Sequence, residues 1–332
     1  MINFKPHTLI FLFCLFHVSP SYALTLKIAS VAPAGSNWLQ QVTKGAEVVT
    51  KRTEGRVKFK FYPGGVMGND QSVHRKIRIN QLQGGAFSSS GLTQVNTAIQ
   101  LLSLPMLFES FNEVDQIRAT MDDHIKQQME QSGFVILGII EAGFAQIFSR
   151  QRIQSLDDLR SSKVWLPEGD KLVETTFDAL GVNPVALPLS DVFTGLQTGL
   201  IDTITSTAAG AITFQWHTKV DHMLDLPVIY IIAVLAIDKV AFEKISSSDQ
   251  AIVREEMDKV SKVLNNMARD DDREARLALK NQGIEFVHIS TQEVERIKAL
   301  SQQAIERMIS QGDIDPQAVE KMQTQLRSLR SK

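Results

Sequence analysis

The chain has 332 residues, of which 43% are hydrophobic, 22% charged and 7% aromatic, a composition that can bury two lobes or domains and that excludes disorder, collagen and coiled coil. Its 35 Lys plus Arg against 37 Asp plus Glu give a formal charge of -2. With no basic surplus to neutralise phosphates, nucleic acid is not an expected partner.

Residues 1-23 read as a secretion signal. Lys5 and His7 precede an apolar run from Leu9 to Phe16, and Ser21-Tyr22-Ala23 places small residues where a signal peptidase reads them. Cleavage is expected after Ala23. A membrane anchor would need roughly 20 apolar residues, and this run stops at His17. The only cysteine, Cys14, lies inside the run, so the remaining chain is expected to have neither disulfides nor a cysteine nucleophile.

Beyond the signal, Leu26 to Ser30 alternates as a strand and Ala32 to Ser36 as a turn. Ser36 or Asn37 can cap a helix carrying Trp38, Leu39, Val42, Ala46 and Val49, which runs until Gly55. Arg56 to Phe61 alternates strictly and predicts a half-buried strand. A glycine-rich loop from Pro63 to Gly68 leads to a helix around Val73 and Ile77, then to a short strand near Ala86 to Ser88. Val114, Ile117, Met121, Ile125 and Met129 mark the next helix, with Asn112 as its expected cap. Phe134 to Ile140 is an apolar strand. Strands then alternate with helices: Val164 to Leu166, a helix around Leu172 and Phe177, Pro184 to Leu187, a helix from Ser190 to Thr198, and Ile201 to Thr205. Val228 to Ile237 is too short to cross a bilayer and reads as a buried strand. Such alternation predicts open α/β sheets with helices on both faces. Ser248 to about Gln282 contains neither Gly nor Pro. A helix of that length would be roughly 50 Å long and must bridge two bodies or protrude. Two amphipathic helices broken at Gly312 to Pro316 close the chain.

Catalytic and metal-binding patterns are scarce. The histidines form no H-x-H or H-E-x-x-H pair, and there is no nucleophile elbow, Walker loop or dinucleotide fingerprint. Neither enzymatic activity nor a cofactor nor a metal is expected. Gly64-Gly65 reads either as a tight turn or as a backbone cradle for an anion.

Read together, Phe61 to Gly68, Leu104-Pro105-Met106-Leu107-Phe108, Ser155-Leu156-Asp157-Asp158-Leu159 and, most specifically, Leu196-Gln197-Thr198-Gly199-Leu200-Ile201-Asp202 resemble the solute-binding subunits of TRAP (tripartite ATP-independent periplasmic) transporters, the DctP-like family. The resemblance runs in order over nearly all of the chain after the signal. It implies an exported periplasmic protein of α/β, periplasmic-binding-protein type: two lobes with mixed sheets around a cleft, and the long helix spanning both. Lobe 1 is expected over 24-147 plus 236-276 and lobe 2 over 148-235 plus 277-332. It also implies a small-molecule solute, a TRAP membrane permease as partner, and a monomer or weak homodimer.

The sequence departs from the acid-binding members where their ligand is held. Trp165 stands where an Arg of the Lys-Val-x motif grips the ligand carboxylate. Ala145 takes the place of a second Arg, Ser206 that of an Asn and Phe193 that of a Tyr. A pocket without either Arg loses its charged grip on a carboxylate. An apolar, aromatic or amine-bearing solute is therefore expected in a cleft lined by Trp165, Phe144, Phe193 and Trp38. Trp165 and Trp38 also admit plain core packing, and Trp216 a cover over the hinge. Glu168 and Asp170 read either as helix-capping acids or as an acidic rim able to pair with an amine, and Glu141 carries the same two readings. Two alternatives stay open: an interaction protein serving another envelope complex, and an organic-acid binder that places its anion elsewhere, for instance on Arg150.

Overall fold

The computed structural model describes residues 23–331, so the expected signal, apart from Ala23, lies outside the described residues. Strands β1 (Leu24–Ser30), β2 (Val57–Tyr62), β3 (Gly84–Ser88), β4 (Phe134–Ser149), β7 (Thr203–Ser206), β8 (His222–Asp238) and β9 (Glu285–Val287) form one mixed sheet. Its order is β2-β1-β3-β8-β4-β7, with β9 also on β8. The short pair β5 (Trp165–Pro167) and β6 (Val185–Leu187) hangs beside β7 through a parallel bridge from Val164 to Thr203.

β4 and β8 run for 16 and 17 residues, well beyond the apolar runs of seven and ten that predict them, because each passes through both lobes. The first half of β4 pairs with the second half of β8, whose other edge carries β3 at Ala233 to Ile237. The second half of β4, from Gln146 to Ser149, pairs with β7, while the start of β8 pairs with β9. The lobes therefore exchange chain inside these strands, at about Glu141 to Ile147 and Leu224 to Ile229, where the register shifts. Phe148 is already packed in the second lobe, so the chain enters that lobe before the boundary expected between residues 147 and 148.

Both faces of the first lobe's sheet are covered, as the side-chain alternation requires. Leu26, Ile28, Val135, Leu137, Leu235 and Ile237 pack with the helix Asn37–Arg52 and with Val253 and Met257 of the long helix. Ile136, Ile139, Ile232, Val234 and Ala236 pack on the opposite face with the helix Phe111–Gln131. That helix is capped by Ser110, whose hydroxyl accepts from the Glu113 N–H, and not by Asn112. The pattern Ser110-x-x-Glu113 is the capping signal that the apolar spacing overshadowed.

The C-terminal helix Pro316–Arg330 also joins the first lobe. Val319, Met322 and Leu326 bury against its core, and Arg330 forks onto Glu113 at 2.8 and 3.0 Å. Residues 277-332 thus do not pack as one unit on the second lobe: Ile297 lies in a second-lobe core, whereas Ile305 and Met308 already face the first.

The helix Ser247–Asn281 is the spine, 35 residues long and so about 52 Å. Ser246 caps it and Gly283, at φ 92°, ends it. Where it passes the chain exchange, side chains on one of its faces reach the crossing strands. Asn265 accepts from the Glu141 N–H at 2.7 Å, and Arg269 binds both Glu141 oxygens at 2.9 Å. Arg276 reaches Asp225 at 2.6 Å. Arg269 also pairs with Asp115 and lies 4.5 Å from the Phe111 ring centroid. The Glu141 side chain is 1% exposed, so removing its partner strands a buried charge. Arg269→Ala is expected to lose about 3 kcal/mol of stability, and Glu141→Gln in the same background to recover part of it. Chemical denaturation of the two variants checks this, and an unchanged midpoint for Arg269→Ala would refute it.

Candidate ligand cleft

The carboxyl ends of β1, β3, β5 and β7 converge on one cavity of about 340 Å³, within the size range of small-molecule sites. Ligands gather at such strand ends in open α/β sheets because the backbone there turns outward into loops and helix starts. The first lobe contributes Ser30 to Ala32, Asp70, His74 and the run Ser88-Ser89-Ser90-Gly91. The second contributes Trp165, Glu168, Asp170, Ser206, Phe214 and Trp216, and the exchange region adds Ala142, Ile147 and Ile229. Most of this wall is apolar. Among the described residues, no Lys or Arg lines it, whereas Asp70, Glu168 and Asp170 do.

Trp165 lines the cavity and is 5% exposed. Its indole stands edge-on to Trp216, with centroids 5.5 Å apart, and Trp216 stacks on Phe214 at 5.0 Å. The indole N–H donates to the Leu187 carbonyl at 3.0 Å, so Trp165 offers the cavity an apolar surface and no free donor. Trp38 also lines the cavity, with its Nε1 buried and unpartnered. Ser206 lines it as well, its hydroxyl turned to the Thr207 carbonyl at 3.0 Å.

The other expected contacts lie elsewhere. Phe144 packs among Phe111 and Tyr230 in the first-lobe core, Ala145 is fully buried in β4, and Phe193 is half-buried under Lys219. Neighbouring Ala142 and Ile147 reach the cavity in place of Phe144 and Ala145, because the irregular register of β4 there shifts which side chains face inward. Glu141 is held by Arg269. Arg150 donates to the carbonyls of Lys219 and Leu196 and is outside the lining. The Gly64 and Gly65 N–H groups donate to Ala32 and Ser30, which fills the backbone cradle and leaves the tight-turn reading.

Asp170 has two partners. As N-cap of the helix Lys171–Leu180 it accepts from the Val173 N–H at 3.1 Å. It also accepts from Gln100 of the first lobe at 2.8 Å. Glu168 is the rim acid, exposed and bonded by Asn69 Nδ2 at 3.2 Å. These two hydrogen bonds tie the lobes across the cleft. Sequence reading missed Asp70, His74 and the serine run. The position of those serines just after a short strand is the signal that could have found them.

Two lobes that exchange chain through long strands and enclose a cavity at their strand ends define a solute-binding architecture. The chain belongs to the DctP family, bacterial extracellular solute-binding protein, family 7, whose match covers residues 28–311. It is 23% identical over 247 residues to the 2,3-diketo-L-gulonate-binding periplasmic protein YiaO of Escherichia coli, covering 73% of this chain and 74% of that one. An uncharacterized protein of Haemophilus influenzae is also 23% identical, over 205 residues, and the chain spans 62% of its length. Among solved structures, a TRAP periplasmic solute binding protein from Haemophilus influenzae with bound L-gulonate superposes with a TM-score of 0.84 at 19% identity, covering 91% of this chain and 99% of that one. One from Shewanella oneidensis with bound succinate gives 0.83 at 19% identity, over 90% and 98%.

Burial pushes the Asp170 carboxyl up to about 6, against the lowering effect of the Val173 N–H and Gln100. Its unfolded value is about 3.9. Between these values the folded chain holds more protons than the unfolded one, so the stability contributed by protonated Asp170 is complete below about pH 4 and is lost as pH rises to about 6. The span is of order 3 kcal/mol. Asp170→Asn, which keeps a capping oxygen, is expected to flatten that part of the stability profile. Urea midpoints measured across the window check it, and an identical slope in the variant would contradict the assignment.

Proposed function

We propose that this chain is the periplasmic solute-binding subunit of a TRAP-type transporter, and that its cleft captures an apolar, aromatic or amine-bearing solute in place of a carboxylate. Membership of the DctP family supports the first half. A cavity wall without Lys or Arg among the described residues carries the second. A desolvated carboxylate needs a charged or multiply hydrogen-bonded partner, and here the nearest ionised groups on the wall are themselves acids. The Trp165 and Trp216 rings provide a surface on which a flat solute gains about 0.5–1.5 kcal/mol beyond area burial.

Delivery follows from closure. Solute held by both walls favours the closed arrangement by as much as it binds that arrangement better. The closed form then docks on the permease, and opening there releases the solute. No helix among the described residues is long and apolar enough to cross a membrane.

Calorimetry with succinate, malate and pyruvate is expected to give no micromolar binding. Micromolar affinity for any of the three would overturn the solute preference while leaving the binding role intact. Small-angle scattering is expected to show a smaller radius of gyration once a solute identified by mass spectrometry of the purified protein is added. Tight binding with an unchanged radius would count against hinge closure.

A further inference from the structure

Asp70 opens the helix Asp70–Arg78, yet it does not cap it: Asn69 is the N-cap and accepts from the Ser72 N–H. Asp70 lines the cavity with no hydrogen bond or ion pair to any described residue. Burial is the largest influence on its carboxyl and pushes it up, the Glu168 carboxylate adds to that, and His74 opposes both. His74 is itself occupied, its Nε2 2.7 Å from the Gly91 carbonyl and its ring stacked on Phe87. Gly91 keeps the space open, since a Cβ there would stand 2.6 Å from Asp70 Oδ2.

Three carboxylates, Asp70, Glu168 and Asp170, line the cavity. Behind Asp170 and outside the lining, Gln100 gives its N–H to that carboxylate and leaves Oε1 buried without a partner. Glu168 comes from the opposite lobe and is tied to Asn69, next to Asp70 in the chain. A metal ion is a poor match, because among the described residues no group of three or more His, Cys, Asp or Glu is placed to hold one. An ammonium is a better one: it carries a positive charge and three donors and has no acceptor to leave unsatisfied.

We propose that Asp70 is the charge-selecting residue of the cleft, taking the ammonium group of a cationic amine solute between itself and Glu168 while the tryptophan wall holds the solute's apolar part. This rests on the solute-binding reading above and narrows it to one chemical class. Closure around an amine would bring its charge between carboxylates of both lobes, whereas a carboxylate in the same place would face Asp70 and Glu168 with no Lys or Arg among the described wall residues to offset them.

The test uses three probes of similar shape, phenethylamine, phenethyl alcohol and phenylacetate, titrated calorimetrically into the purified protein and into its Asp70→Asn and Glu168→Gln variants. The amine is expected to bind at least about tenfold tighter than the acid. Asp70→Asn should remove most of that preference while leaving the alcohol's affinity within about twofold. Glu168→Gln, exposed and distant from the core, should reduce the preference less. Since the Asp70 carboxylate bonds to no described residue, the unfolding midpoint of Asp70→Asn should stay close to that of the unaltered chain, so a lost preference would not reflect misfolding. Equal or tighter binding of phenylacetate, no amine binding at millimolar concentration, or an amine affinity indifferent to both substitutions would each overturn the proposal. The underlying solute-binding reading fails separately, if native mass spectrometry finds no small molecule retained and none of the three probes binds.

Discussion

The antiparallel pairing of β4 with β8 is the constraint on which the rest of the molecule depends. Because both strands run through both lobes, the lobes are joined by paired strands and not by flexible linkers. The ladder loosens where it crosses: register shifts fall between Glu141 and Gly143 and between Ala145 and Ile147, and Gly143 adopts φ 106°, a conformation that L residues rarely take. Pro227 lies in the matching stretch of β8 and has no N–H to give to a ladder. This irregular middle separates the pairing that belongs to each lobe. The Arg269 fork on Glu141 fixes that region against the spine.

The cleft chemistry follows from where that ladder places the strand ends. Loops after β1 and β3 meet loops after β5 and β7, so each wall belongs to a different lobe. What those loops carry is hydroxyls, aromatic rings and carboxylates. The indole N–H of Trp165 is committed to Leu187, which leaves that ring an apolar face toward the cavity. Directional contacts must come from other groups. The two hydrogen bonds from Asn69 and Gln100 already join the walls, so a bound solute adds to an interface that the protein has begun to make.

Much of the fold was legible wherever a local pattern decided the outcome. The strict alternation of Val57, Phe59 and Phe61, and the Gly- and Pro-free stretch between Ser246 and Gly283, matched their elements closely because period and caps agree. β4 was read short: from Glu141 onward its side chains are nearly all buried, so no alternation marks a strand that is covered on both faces. The lobe that receives the last helix depends on Arg330 meeting Glu113, a pairing across 217 positions that no local pattern encodes. At the site, Trp165 was singled out because it stands where the resembling family carries an Arg, whereas the commitment of its N–H to an acceptor 22 residues away has no local signal. Asp70 carries no sequence signal, because its distinguishing property, a side chain with no partner among the described residues, exists only in three dimensions.

The 35-residue helix carries a mechanical consequence. It crosses the exchange region near Arg269, well past its midpoint, so its two arms are unequal: about 33 Å toward Ser247 and about 18 Å toward Asn281. A rotation of about 10° about that point would sweep the longer end through about 6 Å and the shorter through about 3 Å. Since Val253 and Met257 on the longer arm pack into the first lobe's core, that arm would move with the first lobe, and its end near Ser247 would show the larger displacement.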